Sequence, residues 1–192
     1  MKIIMHTIRK ATTNDSSIIA ELMLFAMKDI VFDFIGEKNE IKAKEFLDEL
    51  IQSPNNQYSF ENTFVLEYEN KIAGSFTIYD GGKLNELRQP VLNLLSEKYN
   101  RTIHPQDETE KGEIYIDTIA VFPEYRGKGF GNIILDYIIN VIAIKQDKTI
   151  GLLVDFTNPK AKKLYESKGF KVVGEKQLMS ENHEHMQYKK GF

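Results

Sequence analysis

Apolar residues recur at helical spacing in five stretches of the chain, and short apolar runs separate these stretches. The N-cap residues Thr13–Ser16 precede the first predicted helix, and Pro54 follows the second one. Pro90 indicates either a kink in the third helix or the start of a further helix. The four later helices are predicted at Asn39–Ile51, Lys83–Tyr99, Gly129–Ile144 and Pro159–Lys168. Strands are predicted at His6–Lys10, Thr63–Glu69, Ile72–Tyr79, Glu113–Phe122, Thr149–Phe156, Phe170–Gln177 and His185–Lys189.

The order of these elements predicts the fold class. The second and third strands are separated only by Asn70 and Lys71, which favours an antiparallel hairpin. The strand, helix and strand from Glu113 to Phe156 form a βαβ unit, whose two strands are expected to be parallel and joined by a right-handed crossover. We therefore expect an α/β (α+β) fold with a single mixed, mostly antiparallel sheet flanked by helices. One domain over residues 1–192 is expected, with a helical and loop insert at about 81–111.

Composition excludes several classes of function. The formal charge is −3, so no overall positive field attracts nucleic acid. The chain has no cysteine, which excludes disulfides, thiolate zinc sites and a cysteine nucleophile. No run approaches the roughly 18 apolar residues of a membrane span, and the N-terminal apolar run is too short for a signal peptide. We expect a cytoplasmic protein that binds neither nucleic acid nor membrane.

A glycine-rich segment, Arg126–Gly131, lies between a predicted strand and a predicted helix. Glycines allow an anion to approach the main chain, and unpaired N–H groups at a helix start favour negative charge. Arg126 and Lys128 add positive charge, so the segment favours a phosphate or pyrophosphate. A tight strand-to-helix turn without a ligand is the alternative. The pattern is neither a Walker loop, because Gly129 follows Lys128, nor a dinucleotide fingerprint, because its glycines are spaced G-x-G-x-G.

The segment Ile116–Asn132 resembles the central motif of the GNAT family of N-acetyltransferases. Arg126, Gly129 and Gly131 fill the fixed positions of the family pattern R/Q-x-x-G-x-G/A. A second segment, Asn158–Phe170, resembles the family's N-x-x-A-x-x-x-Y…GF pattern. The two motifs together cover about residues 113–175.

The resemblance implies acetyl-CoA as co-substrate, no metal, and an amine acceptor on a small molecule, amino acid or peptide. Main-chain N–H groups from Gly127 to Asn132 would hold the pyrophosphate, and the main chain of Ile119 and Val121 would pair with the pantetheine arm. The implied donor-binding residues are Ile119, Ala120, Val121, Arg126, Gly127, Lys128, Gly129, Phe130, Gly131, Asn132, Asn158 and Tyr165.

The resemblance also implies direct attack of the amine on the thioester, with catalytic positions at Ile119 and Tyr165, and the strand pattern adds Asp117, which shares a face with Ile119. The main-chain N–H of Ile119 would stabilise the oxyanion, and one such donor is typically worth about 3 kcal/mol. Tyr165 matches the family's general acid; the alternative is an aromatic side chain packed on a helix face. Asp117 is the best candidate for a base or ammonium anchor, with Glu113 weaker; a structural carboxylate is the alternative, and many family members use water.

Several alternatives stay open. A CoA-binding sensor or partner-binding domain without turnover would carry the same motifs, and a homodimer is one option for the assembly. His183 and His185 share a strand face but lack a third ligand, so we expect exposed residues rather than a metal site. Lys160, Lys162 and Lys163 form a solvated helix face, or one of them meets the CoA 3′-phosphate. The acidic residues of the insert either favour a cationic acceptor or belong to a solvated loop: Asp107, Glu108 and Glu110.

Overall fold

The computed structural model describes residues 6–179 and 181–191 of the chain. The few remaining residues of the predicted 1–192 domain lie outside this part. The strands are β1 (His6–Lys10), β2 (Thr63–Tyr68), β3 (Lys71–Asp80), β4 (Glu113–Val121), β5 (Thr149–Asp155), β6 (Lys171–Leu178) and β7 (Glu181–Tyr188). The α-helices are α1 (Ser16–Ile35), α2 (Glu40–Gln52), α3 (Leu84–Tyr99), α4 (Phe130–Tyr137) and α5 (Pro159–Ser167).

The seven strands form one sheet in the order β1-β2-β3-β4-β5-β7-β6. Strands β4 and β5 are parallel, with Glu113 opposite Thr149 and Ile116 opposite Leu152. The other neighbouring strands are antiparallel, which confirms the predicted fold class. The β2–β3 turn at Glu69 and Asn70 has φ of 50° and 62°, the backbone form that suits a two-residue hairpin.

The chain divides into two compact units. The first contains the described residues up to Thr77 together with Asn85–Ile103 and Thr118–Gly131. The second contains Ile78–Leu84, His104–Asp117 and the described residues from Asn132 onward.

Each unit has its own apolar core. In the first unit, helices α1 and α2 pack together, and their fully buried side chains include Leu22, Met23, Phe46 and Leu47. In the second unit the apolar face of α4 is buried, as are side chains of the neighbouring strands, which include Ile134, Leu135, Ile150, Leu152 and Met186. Burial of such side chains is the main favourable contribution to folding.

Two predicted elements differ from the structure, and one open alternative is decided. Helix α3 continues through Pro90 as one helix, so no further helix begins there. The helix predicted to Ile144 is α-helical only to Tyr137, and Ile138–Ile144 form a π-helix, a wider turn that is uncommon outside functional sites and helix insertions. Strand β7 begins at Glu181 rather than His185, because its polar first half pairs with β5 on one side and with β6 on the other.

Candidate active site

The glycine-rich turn connects β4 to α4 in an open conformation. A short 3-10 helix, Pro123–Tyr125, follows the strand, and α4 begins at Phe130. Gly127 and Gly129 have φ of 76° and 81°, a left-handed backbone that strongly favours glycine. A Cβ at either position would meet no atom within 4 Å, so both glycines border open space.

The main-chain N–H groups of this turn are available for a ligand. Among the described residues, none accepts a hydrogen bond from the N–H of Gly127, Lys128 or Gly129. The first N–H groups of α4 also have no acceptor within their own helix. Phe130 is buried and anchors the helix start, whereas Gly127 to Gly129 are exposed. Exposed N–H groups at a helix N-terminus can bind an anion.

Two cationic side chains flank the turn and are positioned by aromatic rings. The Arg126 Nε donates to the Val121 carbonyl at 3.1 Å, and its guanidinium lies 5.4 Å from the Phe25 ring centre. The Lys128 Nζ lies 5.1 Å from the Tyr125 ring centre. Within the described chain neither cation forms an ion pair, so their charge adds to the potential of the N–H groups.

The predicted pantetheine strand is the last part of β4. The registered pairs with β5 end at Ile116 and Leu152, although β4 continues to Val121 and β5 to Asp155. Ile119 and Val121 are half-buried and Ala120 is buried. The registered pairs therefore stop before the residues for which main-chain binding is predicted.

Asp117 is held by a tyrosine that the sequence analysis did not single out. The Tyr79 hydroxyl donates to the Asp117 carboxylate at 2.9 Å. Tyr79 is 5% exposed and packs against Tyr115, with ring centres 5.7 Å apart. Tyr79 lies in a strand that is buried over most of its length, where an aromatic ring is expected as a core residue, so its hydroxyl gave no local signal. The bond fixes the orientation of the carboxylate and leaves both predicted roles of Asp117 open.

Tyr165 lies on α5 and packs its ring against Phe170, with ring centres 5.9 Å apart. Burial raises the pKa of Tyr165 to about 12. In the described part of the chain its hydroxyl has no hydrogen-bond partner. A phenol with this pKa stays protonated at neutral pH, so its O–H can serve as a donor.

Comparisons with known proteins agree with this geometry. Residues 27–170 match the model of the acetyltransferase (GNAT) family. This chain belongs to the GNAT family. A crystal structure of an acetyltransferase shares 32% identity at a TM-score of 0.77, over 95% of this chain and 98% of the other. No curated protein sequence gives a significant match.

Other solved structures show the same GNAT fold at lower identity. An N-acetyltransferase from Staphylococcus aureus Mu50 shares 23% identity at a TM-score of 0.79, over 95% of this chain and 100% of the other. An aminoglycoside acetyltransferase in complex with coenzyme A shares 15% identity at a TM-score of 0.61, over 97% and 95% of the two chains. The GNAT family uses acetyl-CoA, and the open glycine turn with its unpaired N–H groups fits the diphosphate of that substrate.

The second GNAT motif, Asn158–Phe170, begins with a residue that caps helix α5. The Asn158 side chain accepts a hydrogen bond from the Ala161 N–H at 3.1 Å and caps α5, which begins at Pro159. Its predicted contact with CoA stays a prediction, as does that of Asn132 on the exposed face of α4. Lys162 is not merely solvated, because its Nζ pairs with Glu184 at 2.7 Å.

Glu113, the weaker base candidate of the sequence analysis, belongs to a buried polar cluster. Its carboxylate accepts from the Glu110 N–H at 2.9 Å and from the Gln187 side chain at 2.7 Å. A ring nitrogen of His185 lies 2.9 Å from the same carboxylate. Gly151 packs directly against it, where a Cβ would overlap the carboxylate. These contacts occupy Glu113 in the fold of this GNAT chain.

The expectation that His183 and His185 are exposed is wrong. They are 7% and 1% exposed. Exposure was expected for residues on the closing strand, but β7 lies between β5 and β6, and β6 is the edge. Both sides of the β7 main chain are therefore paired, and side chains that point toward the covered face are buried.

The end of the insert is held against its own unit. The Thr109 hydroxyl donates to the Gly81 carbonyl at 2.6 Å, the Lys176 Nζ donates to the Thr109 carbonyl at 3.3 Å, and the Met179 N–H donates to Gln106 at 3.0 Å. The three acidic residues of this segment differ in exposure, since Glu108 is buried whereas Asp107 and Glu110 are exposed. They are therefore not one solvated acidic cluster.

No helix among the described residues is long and apolar enough to span a bilayer.

Proposed function

We propose that this protein transfers an acetyl group from acetyl-CoA directly to an amine of a small molecule, an amino acid or a peptide. The observation that carries the proposal is the set of unpaired N–H groups at Gly127, Lys128 and Gly129, in a turn with open space at both glycines. Its sequence resembles the central motif of the family and lies within residues 27–170, which match the family model. Main-chain N–H groups of this kind favour a diphosphate, and Arg126 and Lys128 add to the attraction.

The proposed reaction needs no covalent enzyme intermediate. The amine nitrogen attacks the thioester carbon, the C–S bond breaks, and the nitrogen loses one proton while the thiolate gains one. The main-chain N–H of Ile119 stabilises the oxyanion, and loss of one such donor typically costs about 3 kcal/mol. The absence of cysteine from the sequence agrees with direct attack.

In this proposal Tyr165 supplies the hydrogen bond to the leaving thiolate. A thiol has a reference pKa of about 8.5 and the phenol one of about 12, so complete transfer to a free thiolate is uphill by roughly 5 kcal/mol. Tyr165 therefore acts first as a hydrogen-bond donor to the developing charge on the thiolate sulfur. The sulfur then takes the phenol proton as a proton from solvent is returned to the Tyr165 oxygen. Because the phenol ionises only at about pH 12, it stays a donor throughout the neutral and mildly alkaline range.

In the same proposal Asp117 receives the proton of the amine or anchors the ammonium form. The Tyr79 hydroxyl donates to its carboxylate, which favours the ionised form and fixes the orientation of the carboxylate. Tyr79 is a positioning residue in this scheme, because it acts through Asp117.

The primary test measures binding and turnover separately. Calorimetry with CoA should show binding at one site per chain, and a thiol-release assay with acetyl-CoA should show release that depends on an added amine. The acceptor panel should include amino acids, peptides, polyamines and an aminoglycoside. Binding without release for any acceptor would support a CoA-binding sensor instead. Absence of CoA binding would contradict the whole proposal.

Tyr165→Phe tests the donor role. Turnover is expected to fall about 100-fold, within the usual range for loss of a general acid, while the Kd for acetyl-CoA stays within about twofold. Tyr188→Phe is the matched control, because Tyr188 packs on the same Phe170 ring, with centres 5.8 Å apart. Equal turnover in the two variants would remove Tyr165 from the chemistry.

Tyr79→Phe tests the positioning of Asp117. Hydrogen bonds to charged groups contribute about 1.5–3 kcal/mol, so we expect kcat to fall by at least about tenfold with little change in the KM for acetyl-CoA. The pH profile of kcat should also shift, which loss of packing alone would not cause. An unchanged kcat and profile would show that Asp117 is a structural carboxylate.

A further inference from the structure

Two carboxylates and a buried imidazole meet where β5 ends and β7 begins. Asp155 is the last residue of β5, Glu181 is the first of β7, and His183 lies opposite Asp155 in the register of the two strands. One potential ligand atom from each of the three side chains lies within 4.8 Å of the others. His183 and His185 share a strand face in the sequence, but His185 belongs to the separate Glu113 cluster.

The His183 ring is held in place and leaves one nitrogen unused. Its Nδ1 lies 3.3 Å from the main-chain carbonyl of Glu181, and this is its one hydrogen bond among the described residues. When Nδ1–H donates to that carbonyl, Nε2 carries a lone pair. Metal-binding histidines are typically oriented in this way, by a hydrogen bond from the other ring nitrogen to a carbonyl or carboxylate.

The two carboxyl groups lie close together beside the His183 ring. A carboxyl oxygen of Asp155 and one of Glu181 lie within 4.8 Å of each other and of a ring nitrogen of His183. Two carboxylates at this distance repel each other unless positive charge lies between them. A cation at this point would therefore have two oxygen ligands and one nitrogen ligand within reach.

We propose that Asp155, Glu181 and His183 form a binding site for one divalent first-row transition metal ion, such as Zn²⁺. Zn–N and Zn–O bonds are about 2.0–2.2 Å long, which separates neighbouring ligand atoms by roughly 3–3.6 Å and fits within the observed spacing. An imidazole ligand favours Zn²⁺ over Mg²⁺ or Ca²⁺, which prefer sites made of oxygen ligands alone.

Such an ion would connect the start of β7 to the turn that precedes α5. The Asp155 carboxylate accepts from the Thr157 N–H at 2.6 Å, and its carbonyl accepts from the Asn158 N–H at 2.9 Å. Asp155 therefore already organises this turn through one oxygen and its main chain. Binding of the ion to the native state is expected to stabilise the fold, independently of acetyl transfer.

The test is calorimetry of the untagged full chain with Zn²⁺ alone, with metal content measured after dialysis. We expect one Zn²⁺ per chain, and a melting temperature raised by about 5 °C or more at a free Zn²⁺ concentration 100 times Kd. Mg²⁺ should give neither effect. CoA is not required, so failure of the proposed acetyl transfer would leave this result unchanged.

Variants then locate the ion. His183→Ala and Asp155→Asn should each weaken Zn²⁺ binding by about 100-fold or more, since even loss of a residue that only supports a ligand costs 10- to 100-fold. Glu181→Gln should also weaken it, and because Glu181 is exposed this variant should fold normally. The controls are His104→Ala and Glu175→Gln, which remove an exposed imidazole and an exposed carboxylate elsewhere. Absence of Zn²⁺ binding, or equal affinity in Glu181→Gln and the controls, would overturn the proposal.

Discussion

Gly129→Ala is the most direct test of how the diphosphate would be held. Gly129 has φ of 81° and its N–H has no acceptor among the described residues. A Cβ at this position would meet no protein atom within 4 Å, so the variant should fold. The added methyl group would instead stand in the open space through which a phosphate must approach the main chain.

The expected magnitudes separate strain from binding. A left-handed backbone costs an L-residue roughly 1–2 kcal/mol, and each kcal/mol lowers the melting temperature of a chain this size by about 2–4 °C. Loss of one hydrogen bond between an N–H group and a charged oxygen costs about 1.5–3 kcal/mol. We therefore expect the Kd for CoA to rise about 10- to 150-fold, since each 1.4 kcal/mol is a factor of ten.

Gly112→Ala is the matched control for this variant. Gly112 has φ of 98° and also borders open space, so alanine there carries a similar strain. It lies outside the glycine-rich turn, directly before β4. The assay is calorimetry with CoA on both variants and the parent, together with thermal melts.

The affinities of the two variants for CoA decide whether Gly129 binds the diphosphate directly. If both variants lose similar stability and both bind CoA as tightly as the parent, the main chain at Gly129 does not hold the diphosphate. If both variants lose affinity equally, the effect comes from strain. Only a selective loss in Gly129→Ala supports direct binding.

Two further predictions concern stability. The Arg9 guanidinium, 2.8 Å from Asp15, is the main reason why the pKa of that carboxyl is lowered from an ordinary 3.8 to about 2, and hydrogen bonds from Thr12 lower it as well. The ion pair and these hydrogen bonds together therefore contribute up to about 2 kcal/mol to the free energy of unfolding above pH 4, and this contribution is lost as the pH falls through 2. Denaturant titrations should show that Asp15→Asn loses it, unlike the exposed Asp33→Asn. Glu113→Gln should lower the free energy of unfolding by about 1–3 kcal/mol, because it disturbs a buried carboxylate with three partners. The exposed Glu175→Gln should change it by no more than about 0.5 kcal/mol. Equal unfolding free energies in the two variants would contradict this.

The sequence predicted the glycine turn well because its properties are local. A positive φ at Gly127 and Gly129 and the free N–H groups of a helix start depend on a few neighbouring residues. Asn158 as the cap of α5 is local in the same sense, since its side chain bonds to an N–H three residues later. Such features can be predicted from the sequence without any knowledge of the fold.

Local sequence patterns did not predict the secondary structure of two segments, the start of β7 and the residues after Tyr137. The polar residues that begin β7 have little strand character, yet they pair with β6 from Glu181 onward and with β5 from His183 onward. The π-helical turns after Tyr137 continue an apolar pattern that predicts an ordinary α-helix. In both cases tertiary pairing and packing overrode the preference of the segment.

By itself, the sequence determined the elements, the mixed sheet and a turn suited to an anion, because propensity, periodicity and chirality act over short distances. Only the tertiary structure decided which side chains meet: Tyr79 with Asp117 across 38 positions, His185 with Glu113 across 72, and His183 with Asp155. The order of the strands in the sheet brings these residues together, and local sequence patterns do not predict that order. The physical reason is that their contacts form only after distant strands have paired and have removed the side chains from water.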